Sequence, residues 1–184
     1  TSAAQRRHMT RLDRNSALLL VVDVQEKLMP VIDSSESTIR NIARLIEGCK
    51  ILGVPIIVTE QYSKGLGHTV AALREALGDA YRPVEKDCFS ASSRIDLGSR
   101  KQVLVCGVET HVCVYQTASD LLRSGHEVTL VADALSSRTQ SNKEVALERL
   151  QRDGAHLSST EMCLFEITVR SGTDEFRAIS KLVK

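Results

Sequence analysis

The sequence predicts an α/β protein, a three-layer α/β/α sandwich built around an open, mostly parallel sheet. Short apolar runs alternate with segments of helical periodicity about five or six times along the chain. This alternation is typical of parallel sheets with helices on both faces. The apolar runs are unbroken, as expected for strands that are buried on both sides. With 184 residues and 42% hydrophobic side chains, the chain fits one domain with a sizeable core.

The first half of the chain contains three predicted strands. Residues 17–23 (ALLLVVD) form an apolar run closed by an acid, and residues 36–52 follow with apolar side chains at helical spacing. The second strand, 54–59, carries a proline near its start, where a missing amide donor is tolerated. After a glycine-containing loop we expect a short helix over 69–77 and a short strand over 82–86.

The second half repeats the pattern. Residues 101–106 (KQVLVC) form a clear strand, and a helix is expected over about 112–123. The next strand, 127–132, ends at an aspartate, and the helix over 141–152 begins with a Ser-x-x-Glu capping box. A last strand over 155–159 and short tail helices complete a Rossmann-like order.

The composition excludes several classes of partner. Twenty-four basic and 23 acidic residues nearly cancel, and aromatic residues make up 3%, so neither a nucleic-acid partner nor an anionic membrane surface is expected. The longest apolar runs are far shorter than the roughly 20 residues that span a bilayer. We expect residues 16–184 to form the single domain, and residues 1–15 to be a flexible leader or a remnant of expression.

The five cysteines are odd in number and form no CxxC pair. They are therefore expected to be free thiols, not a disulfide framework or a zinc ribbon. Free thiols persist in a reducing compartment, so a cytoplasmic location is expected.

Polar residues follow several of the predicted strands. Ligands of open parallel sheets bind beyond the carboxyl ends of the strands, where the strand order reverses. The residues that qualify by this position are Asp23, Glu60, Lys86, the segment 107–113 and Asp133.

Three of these residues carry a chemical hypothesis, and each has a plainer alternative. Cys113 is expected at the start of a helix, where partial positive charge favours a thiolate, but it also fits a small packed cysteine. Asp23 suits a general base for a thiol or a helix cap. Lys86 suits an ordinary solvated lysine, or a buried cation beside a thiol and a carboxylate.

The short motifs around these residues resemble those of one protein family. DVQ from Asp23, KDCFS from Lys86 and GVETHVCV around Cys113 resemble, in this order, the three motifs of the isochorismatase-like cysteine hydrolases. The segment 59–69, TEQYSKGLGHT, is most similar to the isochorismatase domain-containing subgroup.

The resemblance implies a mechanism and a set of roles. Cys113 would be the nucleophile, Asp23 the base that takes its proton, and Lys86 the residue that orients and polarises. A cis peptide between Val108 and Glu109 is implied, with an oxyanion hole formed by the backbone N–H groups of Glu109 and Cys113. The substrate would be a small-molecule amide or a related C–N compound that forms a Cys thioester. Candidate substrate-binding residues, for which ordinary loop packing is the alternative, are Gln25, Gln61, Tyr62, Phe89 and His111.

Two further hypotheses remain open for the reaction itself. One is an isochorismatase-type vinyl ether hydrolase, in which Asp23 acts as an acid. The other is a non-catalytic binding protein that keeps the fold, although the intact set of Asp23, Lys86 and Cys113 argues against it.

No metal and no cofactor is expected. Metal-binding relatives carry an Asp-x-His pair after the second strand, whereas this chain offers Glu60 and His68 there, too few ligands for a zinc site. The competing view is that Glu60, His68 and His111 converge on an ion. The resemblance also suggests a homo-oligomer, and the tail carries Phe176, Ile179 and Leu182 at helical spacing, suited to a partner or to the chain's own core.

Overall fold

The computed structural model describes residues 11–184 and confirms the three-layer sandwich. Its strands are β1 (Ala17–Val22), β2 (Ile56–Gln61), β3 (Val84–Lys86), β4 (Gln102–Gly107), β5 (Glu127–Leu135) and β6 (His156–Ser158). They form one sheet in the order β3-β2-β1-β4-β5-β6, in which every neighbouring pair is parallel.

Helices lie on both faces of this sheet. They are α1 (Ser35–Leu52), α2 (Ser63–Leu66), α3 (Ala71–Leu77), α4 (Tyr115–Arg123), α5 (Gln140–Arg152), α6 (Thr160–Thr168) and α7 (Asp174–Val183). Side chains of α1, α3, α6 and α7 pack into one core cluster, and those of α4 and α5 pack into a second cluster on the opposite face.

Strand β1 shows why the apolar runs are unbroken. All six of its residues are buried, and successive side chains point to opposite faces of the sheet. One face therefore contributes to the first core cluster and the other face to the second. The residues on the first face are Ala17, Leu19 and Val21, and those on the second are Leu18, Leu20 and Val22.

The strand order places the candidate site. The sheet grows in one direction from β1 to β3 and in the other from β4 to β6, so the order reverses between β1 and β4. At the carboxyl ends of such a pair the connections diverge and leave a crevice. Asp23 follows β1, and a π-helical turn over Thr110–Val114 follows β4.

Several local boundaries differ from the sequence prediction. Helix α5 is capped by Thr139, whose hydroxyl accepts the backbone N–H of Asn142, so Ser141 lies inside the helix instead of capping it. Helix α4 begins at Tyr115 because the π-helical turn occupies the residues before it. Strand β5 continues to Leu135, and its register against β4 shifts near the end.

The residues before β1 are docked on the domain as far as they are described. Leu12 is buried in the first core cluster, and its backbone N–H donates to Glu166. Arg14 forms a two-pronged ion pair with Glu175 of α7. Residues 1–10, the rest of the expected leader, lie outside the described residues. Across residues 11–184, none of the helices combines the length and the apolar character needed to cross a bilayer.

Candidate active site

Asp23 is the first residue after β1, and its backbone turns sharply there. Its φ is 49°, in the left-handed region that non-glycine residues seldom occupy. The side chain is fully buried, and Oδ1 accepts a hydrogen bond of 2.7 Å from the hydroxyl of Thr59 in the neighbouring strand. A buried carboxylate held in an uncommon backbone conformation is typical of a functional position.

Lys86, the last residue of β3, carries its ammonium group into the same place. Its Nζ lies 2.6 Å from Asp23 Oδ2, and both side chains are fully buried. The ammonium donates to Gln61 Oε1 at 2.7 Å and to the carbonyl oxygens of Cys88 and Phe89 at 3.1 and 3.0 Å. With four oxygen neighbours, this buried charge is compensated far better than a single ion pair would allow.

One oxygen atom of Asp23 is left without an aligned hydrogen bond. Oδ2 lies 2.6 Å from the Lys86 ammonium, although this contact lacks hydrogen-bond geometry. The Asp23 carboxylate also interacts with the Cys113 thiol. A buried carboxylate beside a thiol is suited to accept the proton of that thiol.

Cys113 completes the group from the other side of β1. The thiol is nearly buried and donates weakly to Gln61 Oε1 at 3.4 Å. Burial and the negative charge of Asp23 raise the pKa of the Cys113 thiol to about 12, and the ammonium of Lys86 opposes this change. The free site thus holds a protonated thiol.

The turn that carries Cys113 is fixed by its neighbours. The peptide bond between Val108 and Glu109 is cis, as the sequence resemblance implied. Gly107 just before it has a φ of 115°, and a Cβ atom there would lie 2.1 Å from the carbonyl oxygen of Val22. Only glycine allows β4 to approach β1 this closely. The hydroxyl and the backbone N–H of Thr110 both donate to the carbonyl oxygen of Ser136, each at 2.9 Å.

Two side chains of this turn bind the loop after β5. Glu109 accepts hydrogen bonds from the backbone and side chain of Arg138 at 3.0 and 3.1 Å. His111 Nδ1 lies 3.0 Å from the hydroxyl of Ser137. The His111 side chain is 20% exposed, so its contact with a substrate remains a prediction.

Gln25 is enclosed, although the sequence made it a candidate for substrate binding. It is fully buried, its Nε2 donates to the carbonyl oxygens of Gln61 and Gly67, and its Oε1 accepts the backbone N–H of Gln61. These bonds engage both donors and the acceptor of its amide. Its place in the structure is to hold the chain at Gln61, and it offers no free group to a substrate.

Gln61, Tyr62 and Phe89 reach the open side of the site. Gln61 contacts both Lys86 and Cys113 through its side-chain oxygen. The rings of Tyr62 and Phe89 are 61% and 50% exposed. Tyr62 follows Gln61 and its ring lies against Gly65, and the carbonyl of Phe89 binds Lys86. Contact of either ring with a substrate remains a prediction.

Glu60, inside β2, and His68 after it are hydrogen-bonded to each other. Glu60 is buried and accepts hydrogen bonds from Tyr81, from the backbone and hydroxyl of Thr69, and from His68. Burial favours the neutral form of its carboxyl, but the hydrogen bonds outweigh this and lower the pKa of Glu60. Within the described part of the chain, no group of three or more His, Cys, Asp or Glu residues is arranged to hold a metal ion.

The remaining thiols differ sharply in access. Cys49, Cys106 and Cys163 are buried in the core, as expected, and Cys88 is exposed. Sequence reasoning did not identify Thr59, nor the carbonyl oxygens of residues 88 and 89 as partners of Lys86. The hydroxyl of Thr59 lies beside β1 through the strand pairing of Val22 with Thr59, a register that the sequence alone does not fix. Backbone carbonyls carry no sequence signal at all.

Comparison with known proteins finds similarity over most of the chain. A family model described as the isochorismatase domain matches residues 17–162. Isochorismatase domain-containing protein 2 of Danio rerio is 40% identical over 179 residues, covering 94% of this chain and 89% of the relative. The secreted isochorismatase effector Isc1 of Phytophthora sojae is 38% identical over 192 residues, covering 100% and 91%.

Solved structures show the same fold. The structure of MAR1 ribonuclease from Caenorhabditis elegans aligns with a TM-score of 0.88 and 36% identity, covering 95% of this chain and 92% of the other. YcaC from Pseudomonas aeruginosa, with hexane-2,5-diol and covalent acrylamide, aligns with a TM-score of 0.87 and 25% identity, covering 95% and 92%.

Proposed function

Because the chain belongs to the isochorismatase family and has its hydrolase fold, we propose that it is a cysteine hydrolase that cleaves a small-molecule amide or a related C–N bond through a thioester on Cys113. The observation that carries this proposal is the buried set of Asp23, Lys86 and Cys113, in which Asp23 Oδ2 lies 2.6 Å from the Lys86 ammonium and the carboxylate also interacts with the Cys113 thiol.

Acylation begins with the thiol proton. Asp23 Oδ2 accepts it as the sulfur attacks the substrate carbonyl, so the thiolate is formed only when an electrophile is present. The backbone N–H groups of Glu109 and Cys113 hold the developing oxyanion. The C–N bond then breaks, the leaving nitrogen takes the proton from Asp23, and the acyl group remains on the sulfur.

Deacylation uses the same carboxylate. Asp23 removes a proton from a water molecule that attacks the thioester carbonyl, the S–C bond breaks, and the thiol recovers its proton. Lys86 keeps its charge throughout. Its contacts with Asp23 Oδ2 and Gln61 Oε1 hold the base in place and balance its negative charge in a site from which water is largely excluded.

A relative supports a reactive residue in this fold, since the structure of YcaC from Pseudomonas aeruginosa contains covalent acrylamide. Another relative is described as a ribonuclease. The near-neutral charge and the 3% aromatic content of this chain do not favour RNA as its substrate, so RNA enters as an alternative to be tested.

The test is an activity screen with matched cysteine variants. Wild type, Cys113→Ala and Cys88→Ala are assayed on small amides, ureides, vinyl ethers and a structured RNA. We expect hydrolysis of a C–N substrate that Cys113→Ala abolishes and Cys88→Ala preserves, with all three proteins giving the same circular dichroism spectrum. Vinyl ether hydrolysis that survives in Cys113→Ala would support Asp23 as an acid. RNA cleavage without amide turnover would contradict the proposal, and binding without turnover would indicate a non-catalytic protein.

The setting of the protein follows from the same features. We propose a cytoplasmic homo-oligomer with a small-molecule substrate, supported by five free cysteines and by the exposed rings of Tyr62 and Phe89 beside the site. In the tail, Ile179 is buried against the chain's own core, so it is not available to a partner. Light scattering at micromolar concentration tests the assembly, and a strict monomer would contradict it. Cell fractionation tests the compartment, because the Phytophthora sojae relative is described as secreted.

A further inference from the structure

The backbone of Gln61 is pinned on both sides by another side chain. Gln25 Oε1 accepts the backbone N–H of Gln61 at 2.7 Å, and Gln25 Nε2 donates to its carbonyl oxygen at 2.9 Å. Gln25 is itself fully buried and tied to Gly67. The direction in which the Gln61 side chain leaves the strand is therefore set by the core.

The orientation of the Gln61 carboxamide is set by its neighbours. An ammonium group is only a donor, so the terminal atom that lies 2.7 Å from Lys86 Nζ must be the oxygen, Oε1. The same oxygen accepts the Cys113 thiol. Nε2 is therefore the other terminal atom, and within residues 11–184 no acceptor engages it. It is not among the buried unpaired atoms either, so its two N–H donors face the open side of the site.

This free donor is close to the reacting sulfur. The nitrogen and oxygen of an amide lie about 2.2 Å apart, so with Oε1 at 3.4 Å from Sγ, Nε2 lies within about 5.6 Å of the sulfur. Gln61 ends β2, whereas the proposed oxyanion donors lie after β4, with β1 between the two strands. Gln61 and the proposed oxyanion donors therefore approach Cys113 from different strands.

We propose that Gln61 determines specificity by donating a hydrogen bond from Nε2 to an acceptor atom on the carbon next to the scissile carbonyl. This inference rests on the proposed function and names its substrate class: amides whose acyl group carries an oxygen or nitrogen acceptor at that position, such as 2-hydroxy and 2-oxo amides. A site that positions a polar donor selects against substrates that leave it unpaired.

The experiment uses a pair of amides that differ in one group. In 2-hydroxypropanamide a hydroxyl replaces one methyl group of 2-methylpropanamide, so size is nearly conserved while the acceptor is gained. For wild type we expect a kcat/KM that is about ten- to a hundredfold higher for the hydroxy amide. Gln61→Met, of similar length and without a donor, should bring the ratio near one, and so should Gln61→Leu, which can neither donate nor accept a hydrogen bond. Gln151→Met, an exposed position at the distal end of α5, is the control and should keep the wild-type ratio.

The ratio of the two kcat/KM values tests the role of Gln61 separately from the thioester mechanism. Loss of the Oε1 contacts should lower kcat/KM for both amides alike, whereas loss of the Nε2 donor should lower it for the hydroxy amide alone. If neither amide is hydrolysed, protection of Cys113 from iodoacetamide by each amide gives the same comparison without turnover. Discrimination that persists in both Gln61 variants would overturn the proposal. If Gln61→Met loses discrimination while Cys113→Ala still hydrolyses the amide, the role of Gln61 stands and the thioester mechanism is wrong.

Discussion

Replacing Asp23 with asparagine should have opposite effects on the thiol and on hydrolysis. Burial and the Asp23 charge raise the pKa of the Cys113 thiol to about 12, so at pH 8 only about one thiol in ten thousand is a thiolate. The Asp23→Asn substitution would remove a negative charge beside the sulfur and leave Lys86 with an uncompensated positive charge. A single charge next to a titratable group changes the pKa of that group by about 1 to 3 units. Alkylation of Cys113 should therefore accelerate by about tenfold or more, while hydrolysis falls by orders of magnitude because the base is lost.

The assay is timed iodoacetamide labelling followed by peptide mass spectrometry, from pH 7 to pH 10. The wild-type rate at Cys113 should rise tenfold for each pH unit across this range, because the thiol stays mostly protonated below pH 12. Exposed Cys88 is the internal reference, and buried Cys49 and Cys106 report unfolding. Slower labelling of Cys113 in Asp23→Asn would show that the charge of Asp23 does not hold the thiol protonated. Faster labelling of all four cysteines would indicate a loosened fold instead.

Three further predictions concern stability and metals. Lys86→Met leaves the buried Asp23 charge unpaired and should lower the free energy of unfolding by about 3 to 5 kcal/mol. Urea titration measures this change. If the Asp23→Leu, Lys86→Met double variant loses as much free energy of unfolding, the unpaired charge is not the cause. Burial raises the pKa of Cys49 and Cys163 from 9.0 to about 12, so the folded state keeps protons that the unfolded state releases. The free energy of unfolding should therefore fall between pH 9 and pH 12, and less steeply in Cys49→Ala. If the pH dependence of the free energy of unfolding is the same in Cys49→Ala, the Cys49 thiol is not its cause. Protein made metal-free with a strong chelator, and verified by elemental analysis, should keep its full activity, whereas activity restored only by zinc, iron or manganese would overturn the metal-free mechanism.

The sequence was sufficient to predict the fold because its signals are local. Unbroken apolar runs such as residues 17–22 identify strands buried on two faces, and all six of those residues are buried. Asp23, Lys86 and Cys113 were predicted together from motifs and from their positions after strands, and the structure brings Asp23 into contact with Lys86 and within the electrostatic influence of Cys113. Their catalytic roles remain a prediction.

The details that escaped prediction depend on contacts between distant parts of the chain. Gln25 was expected to meet a substrate, but its amide is consumed by Gln61 and Gly67, and no pattern within a DVQ motif reveals such partners. The pKa of the Cys113 thiol was likewise beyond the reach of the sequence, because burial and the nearby Asp23 charge raise it and both depend on the folded surroundings.

The mass of the acyl-enzyme tests the thioester mechanism. Wild type is mixed with its best amide substrate, quenched in acid within milliseconds to seconds, and examined by intact-protein and peptide mass spectrometry. We expect an adduct with the mass of the acyl group on the peptide that carries Cys113, which appears before steady state, is released by hydroxylamine, and is absent from Cys113→Ala. An amide that turns over rapidly with no adduct at Cys113, or with undiminished rate in Cys113→Ala, would contradict the thioester mechanism.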